Sequence, residues 1–466
     1  MATNIKDGFT SKFGIIAAAA GSAIGLGNIW RFPYILGENG GGAFLLVYLL
    51  CIILVGFPVM LSEFVIGRDT RLNPYGAFKK LAPGKPWFII GIFGVVTAIV
   101  ILSFYSVVGG WTLEYFYQAL INGFKNKTIN DFDHNFNNFL KNPWRPLFWH
   151  LLFMLFNLFI VIRGIEEGIE KFAKIMMPIL AIILIILAFR ALTLPSYNSN
   201  TRAIDGLIFL LKPDFSKINI SIILNALSQA FFSLSIGMGA LITYGSYIQK
   251  NDNLGSSAFI VSMSDTLIAL LAGFAIFPAV FAFGFTPEAG EGLVFKILPA
   301  IFQNMKGGYI LAILFFFCLF IAAITSSISL LEVFVLTLMQ HKNYSRKKAS
   351  LIGFLIATII GIACALSWNY LSDIKLTIKT IDGKINEYNI FSMLEFFSVK
   401  FLLPIGGMFI SIFMGWFYGK DRLEYELSNE NSLKVWYIHI LMILIKYVAP
   451  IAIFIVFLNG IGFAIF

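Results

Sequence analysis

Residues Gly21–Pro33 read GSAIGLGNIWRFP, and they interrupt the first long apolar segment of the chain with three glycines, a serine and an asparagine. Glycine lowers helix stability, and clustered glycine beside Ser or Asn lets the backbone leave the helix. Backbone opened inside a membrane must be buried or line a cavity, because its amides and carbonyls need partners. The stretch therefore predicts a broken membrane helix next to a binding site.

A second interruption lies in the sixth apolar segment, where Phe231–Gly239 reads FFSLSIGMG. Taken alone, the spacing of Gly21 and Gly25 also suits close packing of two helices. The pairing favours broken helices, because interruptions five segments apart, in two five-helix repeats of opposite topology, point to the binding site. Half-helix N-termini suit a carboxylate, and freed carbonyls suit a cation. One broken pair can thus hold a zwitterion and a metal ion together.

The composition is that of a membrane protein. Of the 466 residues, 58% are hydrophobic and 13% are charged, and the mean hydropathy is +0.84. A water-soluble protein needs more charge to cover its surface. No polar block is long enough for a separate soluble domain, so we expect one all-α polytopic transmembrane domain over residues 1–466, with the lipid bilayer as its surroundings.

Charge and cysteine content exclude other classes. The net charge of +9 would suit nucleic acid, but excess Lys and Arg in a membrane protein marks cytoplasmic loops, and no nucleic-acid partner is expected. The cysteines Cys51, Cys318 and Cys364 lie apart in apolar runs, which fits neither a disulfide framework nor a metal site. The four histidines are scattered as well.

Eleven segments are long and apolar enough to span a membrane. We expect a first repeat over 11–192, a second repeat over 219–418, and one extra helix over 433–458. The predicted spans are 11–37, 41–67, 88–122, 146–162, 169–192, 219–248, 256–284, 307–338, 349–370, 390–418 and 433–458.

Basic loops set the expected orientation. The loop His341–Lys348 carries four Lys or Arg and no acid, and Arg68–Lys85 carries five and one acid, so both are expected in the cytoplasm. The N-terminus is then cytoplasmic and the C-terminus extracytoplasmic, in a cell membrane (the inner membrane if the chain is bacterial). The polar loop 371–389, around Asp382-Gly383, is expected to form a β-hairpin.

Gly21–Pro33, followed by Glu38–Phe44 (ENGGGAF), resembles the neurotransmitter:sodium symporter family, whose members have the LeuT-type fold. The resemblance extends to Phe231–Gly239, to Thr325–Ser327 and to the hydropathy as far as residue 458. It implies a 5+5 inverted repeat plus one helix, with helices 1 and 6 broken. It also implies a sodium-coupled importer of amino acids with two Na⁺ ions and no organic cofactor.

The resemblance implies two sodium sites. One uses backbone beside the first break and a small-residue face of the eighth span, with Ala322, Thr325 and Ser326 at i, i+3 and i+4; in a helix without this resemblance, Thr-Ser-Ser would more often bond a neighbouring helix. The other uses Asp265, or Ser264 if the register slips by one, where the family usually has Asn. The implied ligands are Gly21, Ile24, Ala322, Thr325 and Ser326 for the first site, and Ala23, Asn28, Ser233 and Asp265 for the second.

An Asp inside a membrane helix indicates function by default, with a satisfied structural acid as the alternative. Chloride-dependent relatives bind the anion near positions that match Tyr48, Gln229, Ser233 and a serine, and Ala269 replaces that serine here. A missing hydroxyl and a nearby carboxylate disfavour an anion. Chloride-independent transport is therefore expected.

The implied substrate is an α-amino acid. Monoamine carriers have an acid at the position of Gly25, which has no side chain, so the substrate must bring its own carboxylate. Tyr105 matches the family tyrosine that meets this carboxylate, and the remaining pocket is mostly apolar, which predicts a hydrophobic or aromatic substrate. The predicted contacts are Ala23, Gly25, Leu26, Gly27, Ile101, Tyr105, Phe232, Ser233, Ser235, Met238, Ser326, Ser329 and Leu330.

Gate residues follow from the same resemblance. Arg31 and Glu395 match an Arg–Asp pair that closes the outer side, although Glu is one methylene longer. Glu63 and Gln229 are expected to support the broken regions. On the inner side the family's tryptophan and arginine positions hold Phe9 and Lys6, and Gln340 stands where the family has the acid that pairs with the arginine, so the partner of Lys6 stays open.

Other classes fit less well. A non-transporting amino-acid sensor would share the binding residues, but it usually carries a soluble output domain. An enzyme needs a nucleophile with a base, or a metal cluster, and the spans show neither. A channel needs a continuous polar pore, and these helices are strongly apolar.

Overall fold

The computed structural model describes residues 8–197, 201–287, 292–379 and 385–460, and nearly all of its regular structure is helical. In these residues nine continuous helices are long and apolar enough to cross a membrane, and span 1 adds a tenth as a pair of helices bent by 50°. Two shorter helices form span 6, the eleventh. The spans are Lys12–Ala23 with Gly27–Glu38 (span 1), Gly42–Thr70, Phe88–Leu120, Trp144–Ile162, Ile165–Leu192, Ile220–Ser233 with Ala240–Gly245 (span 6), Leu254–Ala282, Gly308–Lys342, Arg346–Trp368, Ile390–Tyr418 and Ile438–Gly460.

The predicted all-α fold with breaks in spans 1 and 6 is confirmed, and the span limits differ from prediction by a few residues. Span 5 begins at Ile165, four residues before its predicted start, because a wide helical turn over Ile165–Glu170 precedes the regular helix. Span 8 runs to Lys342, four residues beyond its predicted end. Both extensions contain charged residues, and a span predicted from hydropathy ends where the apolar run ends, even if the helix continues.

Polar residues fix where several spans begin. A side-chain oxygen just before the helix accepts a backbone N–H of its first turn, which satisfies a donor that has no partner inside the helix. These capping residues are Ser11, Asn219, Asn253, Ser345 and Asn389, at the starts of spans 1, 6, 7, 9 and 10. The first turn of each span therefore enters the membrane with fewer unpaired amides.

Shorter elements connect the spans. The predicted hairpin in 371–389 is confirmed by the antiparallel strands Leu376–Lys379 and Ile385–Tyr388, while its turn at Asp382-Gly383 lies outside the described residues. The loop helices are Pro74–Leu81, Ile129–Lys141, Ala203–Leu211, the short 3₁₀ turn Phe215–Lys217, Leu293–Asn304 and Lys420–Leu427.

We call the membrane face at which span 1 begins the N-terminal face, and the other the opposite face. At the N-terminal face a buried ion pair joins Arg68, near the end of span 2, to Glu426 in the helix before span 11, with Nε and Oε2 3.2 Å apart. Arg68 Nη1 also donates to the carbonyl of Asp252 over 2.8 Å. Arg68 thus joins span 2 to the helix before span 11 and to the loop between spans 6 and 7, and its loss would leave the buried Glu426 carboxylate without compensation.

The surface of the spans is apolar. Ile182, Ile359 and Ile451 expose more than half of their surface, as expected of side chains that contact lipid. The three cysteines lie inside instead, where Cys318 and Cys364 are fully buried and Cys51 is 9% exposed. All three are free thiols.

Candidate functional site

The break in span 1 is short. The first half ends at Ala23, Ile24 adopts an extended conformation (φ −74°, ψ 100°), and helix resumes at Gly27. Asn28 Oδ1 accepts the N–H of Gly25 over 3.0 Å, and the Tyr105 hydroxyl accepts the N–H of Leu26 over 2.9 Å. Side chains therefore satisfy amides that the break frees, as backbone in a membrane requires.

The break in span 6 is longer, and its backbone turns left-handed. Between the halves, Ser235, Gly237 and Gly239 have φ of 55°, 84° and 75°. Glu63 Oε1 accepts the N–H of Gly237 over 2.7 Å, so the carboxylate that sequence analysis assigned to support takes up one freed amide. Ser235 Oγ donates to the carbonyl of Ser22 over 2.8 Å, which joins the two breaks.

Three predicted ligands of one sodium site lie together between spans 1, 6 and 7. Asn28 Nδ2 donates to Asp265 Oδ1 over 2.7 Å and to Ser233 Oγ over 3.1 Å. Ser233 Oγ in turn donates to the Asp265 carboxylate over 2.9 Å. All three side chains are nearly inaccessible to solvent. Hydroxyl, carboxylate and amide oxygens suit a hard cation, and a rotation of the Asn28 amide presents its oxygen to such an ion.

The other predicted sodium ligands meet between span 1 and span 8. Ser326 Oγ lies 3.2 Å from the carbonyl oxygen of Gly21 and 3.3 Å from that of Ile24. Thr325 Oγ1 lies 3.5 Å from the Ile24 oxygen and 3.2 Å from that of Ala322. These contacts bring five oxygen atoms of spans 1 and 8 into one buried cluster, and each belongs to a residue predicted from the sequence. Neutral hydroxyl and carbonyl oxygens fit a hard monovalent ion.

A cavity lies between the two breaks, and the structure brings ten of the predicted substrate contacts to its wall. They are Ala23, Gly25, Gly27, Ile101, Tyr105, Phe232, Ser235, Met238, Ser326 and Leu330. The cavity volume is ≈ 20 Å³, about the room of one water molecule, so a larger ligand requires lining side chains to move outward.

Three predicted contacts, Leu26, Ser233 and Ser329, are not part of this lining within the described residues. The Ser329 hydroxyl donates to the Ser326 carbonyl over 2.7 Å and accepts from Ser22 Oγ over 2.7 Å. It therefore joins span 8 to span 1 behind the wall of the cavity.

Gly25 shapes the polar end of the cavity. A β-carbon at this position would lie 2.7 Å from the Tyr105 hydroxyl and would also overlap Ser326 Oγ. A side chain at position 25 would displace both groups, so the glycine allows the Tyr105 hydroxyl and Ser326 Oγ to lie directly against the backbone of the span 1 break.

Toward the opposite face, Arg31 contacts two residues of span 6. Its Nη1 donates to Gln229 Oε1 over 2.7 Å, and its guanidinium lies 4.9 Å from the centre of the Phe232 ring. Gln229 Nε2 donates to the carbonyl of Gly27 over 2.8 Å. These contacts join spans 1 and 6 beside Phe232, which lines the cavity, while the pairing of Arg31 with Glu395 stays a prediction.

On the N-terminal face, Phe9 is 2% exposed and packs edge-on against Tyr244 and Tyr247, with ring centres 5.8 and 6.0 Å apart. Lys6 lies outside the described residues. Gln340 carries no charge, unlike the acid that the family has at this position, and its Oε1 accepts the backbone N–H of Asn73 over 2.6 Å.

Sequence analysis missed two acids at this face. Glu170 in span 5 accepts the Thr10 N–H over 2.8 Å and holds the N-terminal segment. Glu332 in span 8 accepts from the Tyr247 hydroxyl over 2.7 Å and pairs with Arg346 at 2.8 Å. Their position inside apolar segments was a usable signal, since acids within spans indicate function by default.

Sequence analysis matched Tyr48 and Ala269 to positions near the chloride site of chloride-dependent relatives. The Tyr48 hydroxyl donates to Asp265 Oδ2 over 3.4 Å, and Ala269 is fully buried one turn further along span 7. An anion beside the Tyr48 hydroxyl would therefore lie close to the Asp265 carboxylate, and two negative charges close together repel each other in a low-dielectric interior.

Comparison with known proteins agrees with this geometry. The model of the sodium:neurotransmitter symporter family matches residues 6–138 and 134–463. The uncharacterized sodium-dependent transporter YhdH of Bacillus subtilis (strain 168) is 39% identical over 454 residues, which cover 97% of each protein. An uncharacterized sodium-dependent transporter of Haemophilus influenzae is 37% identical over 483 residues, covering 99% of this chain and 100% of that protein.

Among solved structures, the crystal structure of MhsT in complex with L-phenylalanine matches with a TM-score of 0.88 and 44% identity, over 98% of this chain and 100% of that one. MhsT has the LeuT fold. The family match and the relatives support sodium-dependent symport. This chain belongs to the sodium:neurotransmitter symporter family and is a sodium-dependent symporter with the LeuT fold.

Proposed function

We propose that this symporter imports a hydrophobic or aromatic α-amino acid together with two Na⁺ ions and without chloride. The observation that carries the proposal is the cavity between the two breaks, whose wall combines the hydroxyl groups of Tyr105, Ser235 and Ser326 with apolar side chains. The binding of L-phenylalanine by MhsT supports the same substrate class.

The chemistry of the wall favours a zwitterion. No lining side chain in the described residues carries a charge, so a substrate with net charge would be buried without compensation. A zwitterion is neutral overall, and its carboxylate can accept a hydrogen bond from the Tyr105 hydroxyl. The side chain of the substrate is then surrounded by Ile101, Phe232, Met238 and Leu330. Such an apolar pocket discriminates only weakly between hydrophobic side chains of similar shape.

The two clusters of oxygen atoms support two ions. One contains the Asp265 carboxylate, and Ala23, the remaining ligand that the family resemblance implies for it, lines the cavity, so a cation held by both can also meet the substrate carboxylate. The other is built from neutral oxygens of span 1 and Thr325 and Ser326 of span 8. Both clusters contain atoms from the first break, so ion binding and the conformation of span 1 are linked.

Alternating access follows from contacts on the two sides of the cavity. Arg31 with Gln229 and Phe232 closes one side, and Phe9 with Tyr244 and Tyr247 closes the other. Import requires these closures to open in turn. With the N-terminal face in the cytoplasm, as the basic loops favour, the Arg31 closure opens outward.

Uptake into proteoliposomes tests the proposal. We expect an inward sodium gradient to drive accumulation of labelled L-phenylalanine, and replacement of Na⁺ by K⁺ to abolish it. Excess unlabelled leucine or tryptophan should compete, whereas phenethylamine, which lacks the carboxylate, should not. Sodium-driven uptake of none of these amino acids, or competition by phenethylamine equal to that by leucine, would contradict the assignment.

Chloride dependence is tested in the same vesicles. With Asp265 supplying a fixed negative charge beside Ser233 and Tyr48, replacement of chloride by gluconate should leave the initial rate unchanged. A rate that falls to background in gluconate would refute chloride independence and leave sodium coupling intact.

A further inference from the structure

A lysine lies in the lipid-facing surface of span 11. Lys446 occupies the middle of a wide helical turn, Leu444–Val448, within this span. Its neighbours Ile443, Tyr447 and Ile451 are exposed on the outside of the helix, as expected of side chains that contact lipid. A charged group among such side chains is costly and indicates function by default. A cation at this position is therefore expected to have a partner.

The ammonium group of Lys446 lies against two aromatic rings near the N-terminal face. Its Nζ is 4.2 Å from the centre of the Trp416 ring and 5.6 Å from that of Tyr447. The two rings meet edge-on with centres 5.7 Å apart. Trp416 lies in the last turn of span 10, which ends at Tyr418. Since Trp and Tyr favour the level at which hydrocarbon meets the lipid headgroups, the ammonium group lies at that level too.

Spans 10 and 11 touch at this point. A β-carbon at Gly415 would lie 2.8 Å from the Lys446 α-carbon and 3.3 Å from its γ-carbon. Trp416 Nε1 donates to the Lys446 carbonyl over 3.3 Å. The stem of the lysine therefore crosses span 10 at the glycine, and the charged end comes out over the exposed face of Trp416.

This cation has no counter-ion within the part of the chain that the structure describes. No carboxylate there lies within salt-bridge distance of Lys446. Two acids of the same face have other partners, because Glu426 pairs with Arg68 and Asp69 pairs with Arg422. The charge of Lys446 thus remains available to a negative group that arrives from the lipid side.

A second lysine continues the positive surface toward the aqueous side. Lys420 follows the end of span 10, and its Nζ lies 3.4 Å from His439 Nε2, in the first turn of span 11. His439 precedes Lys446 by seven positions, which places both on one side of the helix about 10 Å apart along its axis. Basic side chains therefore extend from the water to the headgroup level along the groove between spans 10 and 11.

We propose that this groove binds an anionic phospholipid, with the lipid phosphate on Lys446 and the glycerol and upper acyl chains beside Trp416 and Tyr447. An ammonium group and a phosphate form a charge-assisted hydrogen bond. With the N-terminal face in the cytoplasm, as the basic loops favour, the groove faces the leaflet whose anionic lipids attract Lys and Arg. The acyl chains of a lipid also cover the exposed Ile443 and Ile451, which a soluble anion cannot do. The proposal is independent of the transported substrate.

Native mass spectrometry of the full-length protein, released from detergent after titration with single phospholipids, tests the site. We expect the first phosphatidylglycerol to bind about tenfold more tightly than the first phosphatidylcholine, as one added charge-assisted hydrogen bond provides. Lys446→Gln should abolish this preference, and Lys446→Arg, which keeps the charge, should retain most of it.

Lys348→Gln is the matched control. Lys348 belongs to the basic loop at the same face, and its Nζ also lies over an aromatic ring, 4.0 Å from the centre of Tyr344. This variant should keep the preference of the wild type. Equal losses in Lys348→Gln and Lys446→Gln would assign the preference to the general charge of this face and overturn the proposal.

Two further outcomes would also overturn it. Absence of any preference in the wild type would mean that Lys446 only extends its charge to water, as lysines near membrane borders do. Displacement of phosphatidylglycerol by a large molar excess of inorganic phosphate would mean that the site takes free anions rather than a lipid.

Thermal unfolding separates lipid binding from a structural role of the ring contacts. Phosphatidylglycerol should raise the unfolding temperature of the wild type and leave that of Lys446→Gln unchanged, because a ligand that binds the folded state stabilises it. Without this lipid the variant should unfold at the same temperature as the wild type or higher, since it lacks an unpaired charge. A less stable variant, with no effect of the lipid on the wild type, would contradict the proposal.

Discussion

Spans 1 and 6 are both broken beside the cavity, but different interactions hold the two breaks. In span 6 the backbone itself is left-handed at three positions, and Glu63 caps a freed amide. In span 1, within the described residues, the break contains no positive φ, and it is held by side chains from spans 1, 3 and 8. The span 6 break is thus fixed by conformation, while the span 1 break depends on polar partners that an ion or substrate can replace.

Gly237→Ala should have the largest effect. At φ of 84° a side chain is strained, and its β-carbon would lie 2.5 Å from the Leu403 carbonyl oxygen. Strain and overlap together should cost about 3 kcal/mol or more of stability, visible as loss of folded protein in size-exclusion chromatography. Gly27→Ala is the matched control, because its φ is not positive and its β-carbon would meet a side chain, the Phe232 ring at 3.1 Å, rather than backbone. Equal stability of the two variants would contradict the contrast between the breaks.

Glu63→Ala should have the second largest effect. It leaves the N–H of Gly237 without its acceptor in a fully buried position, which costs about 1–3 kcal/mol, and thermal unfolding in detergent measures the loss. Glu63→Gln retains an acceptor oxygen and should recover most of the stability. If Gln is as destabilising as Ala, the carboxylate charge, rather than the hydrogen bond, supports the break.

Ser326→Ala tests the dependence of the span 1 break on polar partners. The hydroxyl lies between two carbonyls of the span 1 break, so its removal should raise the sodium concentration for half-maximal uptake about tenfold, as expected for one lost ligand to a charge. Ser327→Ala is the control, because Ser327 donates to Asn157 on the far side of the helix over 2.6 Å. A similar sodium shift in both variants would contradict the predicted ion site.

Ser22→Ala should have the smallest effect. It removes the 2.7 Å hydrogen bond to Ser329 between spans 1 and 8, which contributes about 0.5–1.5 kcal/mol. Ser329→Ala removes the same bond and also the Ser329 bond to the Ser326 carbonyl, so it should lower the unfolding temperature somewhat more, with a double variant no worse than Ser329→Ala alone. Additive losses would show that the two hydroxyls act separately.

The number of spans and the places of both breaks could be predicted from the sequence, because run length and clustered glycine are local properties of the chain. The ligand sets around Asn28 and Ser326 were predicted through the family motif. Their convergence is a property of the fold, since Gly21 and Ser326 are 305 positions apart.

Contacts between distant loops could not be predicted. The packing of separate spans determines both the hydrogen bond from Thr10 to Glu170 and the contact of Lys446 with Trp416. Neither has a repeated spacing or a motif in the sequence. The limits of spans 5 and 8 differed because their charged ends continue as helix beyond the apolar run.

The burial of Cys51, Cys318 and Cys364 makes the natural chain a convenient background for site-directed labelling. Thiols react as thiolates that reagent can reach, and these three are enclosed within spans 2, 8 and 9. A cysteine introduced at an exposed loop position should therefore take up a maleimide fluorophore almost alone. Distances across the closing faces can then be followed in single molecules without first removing native residues.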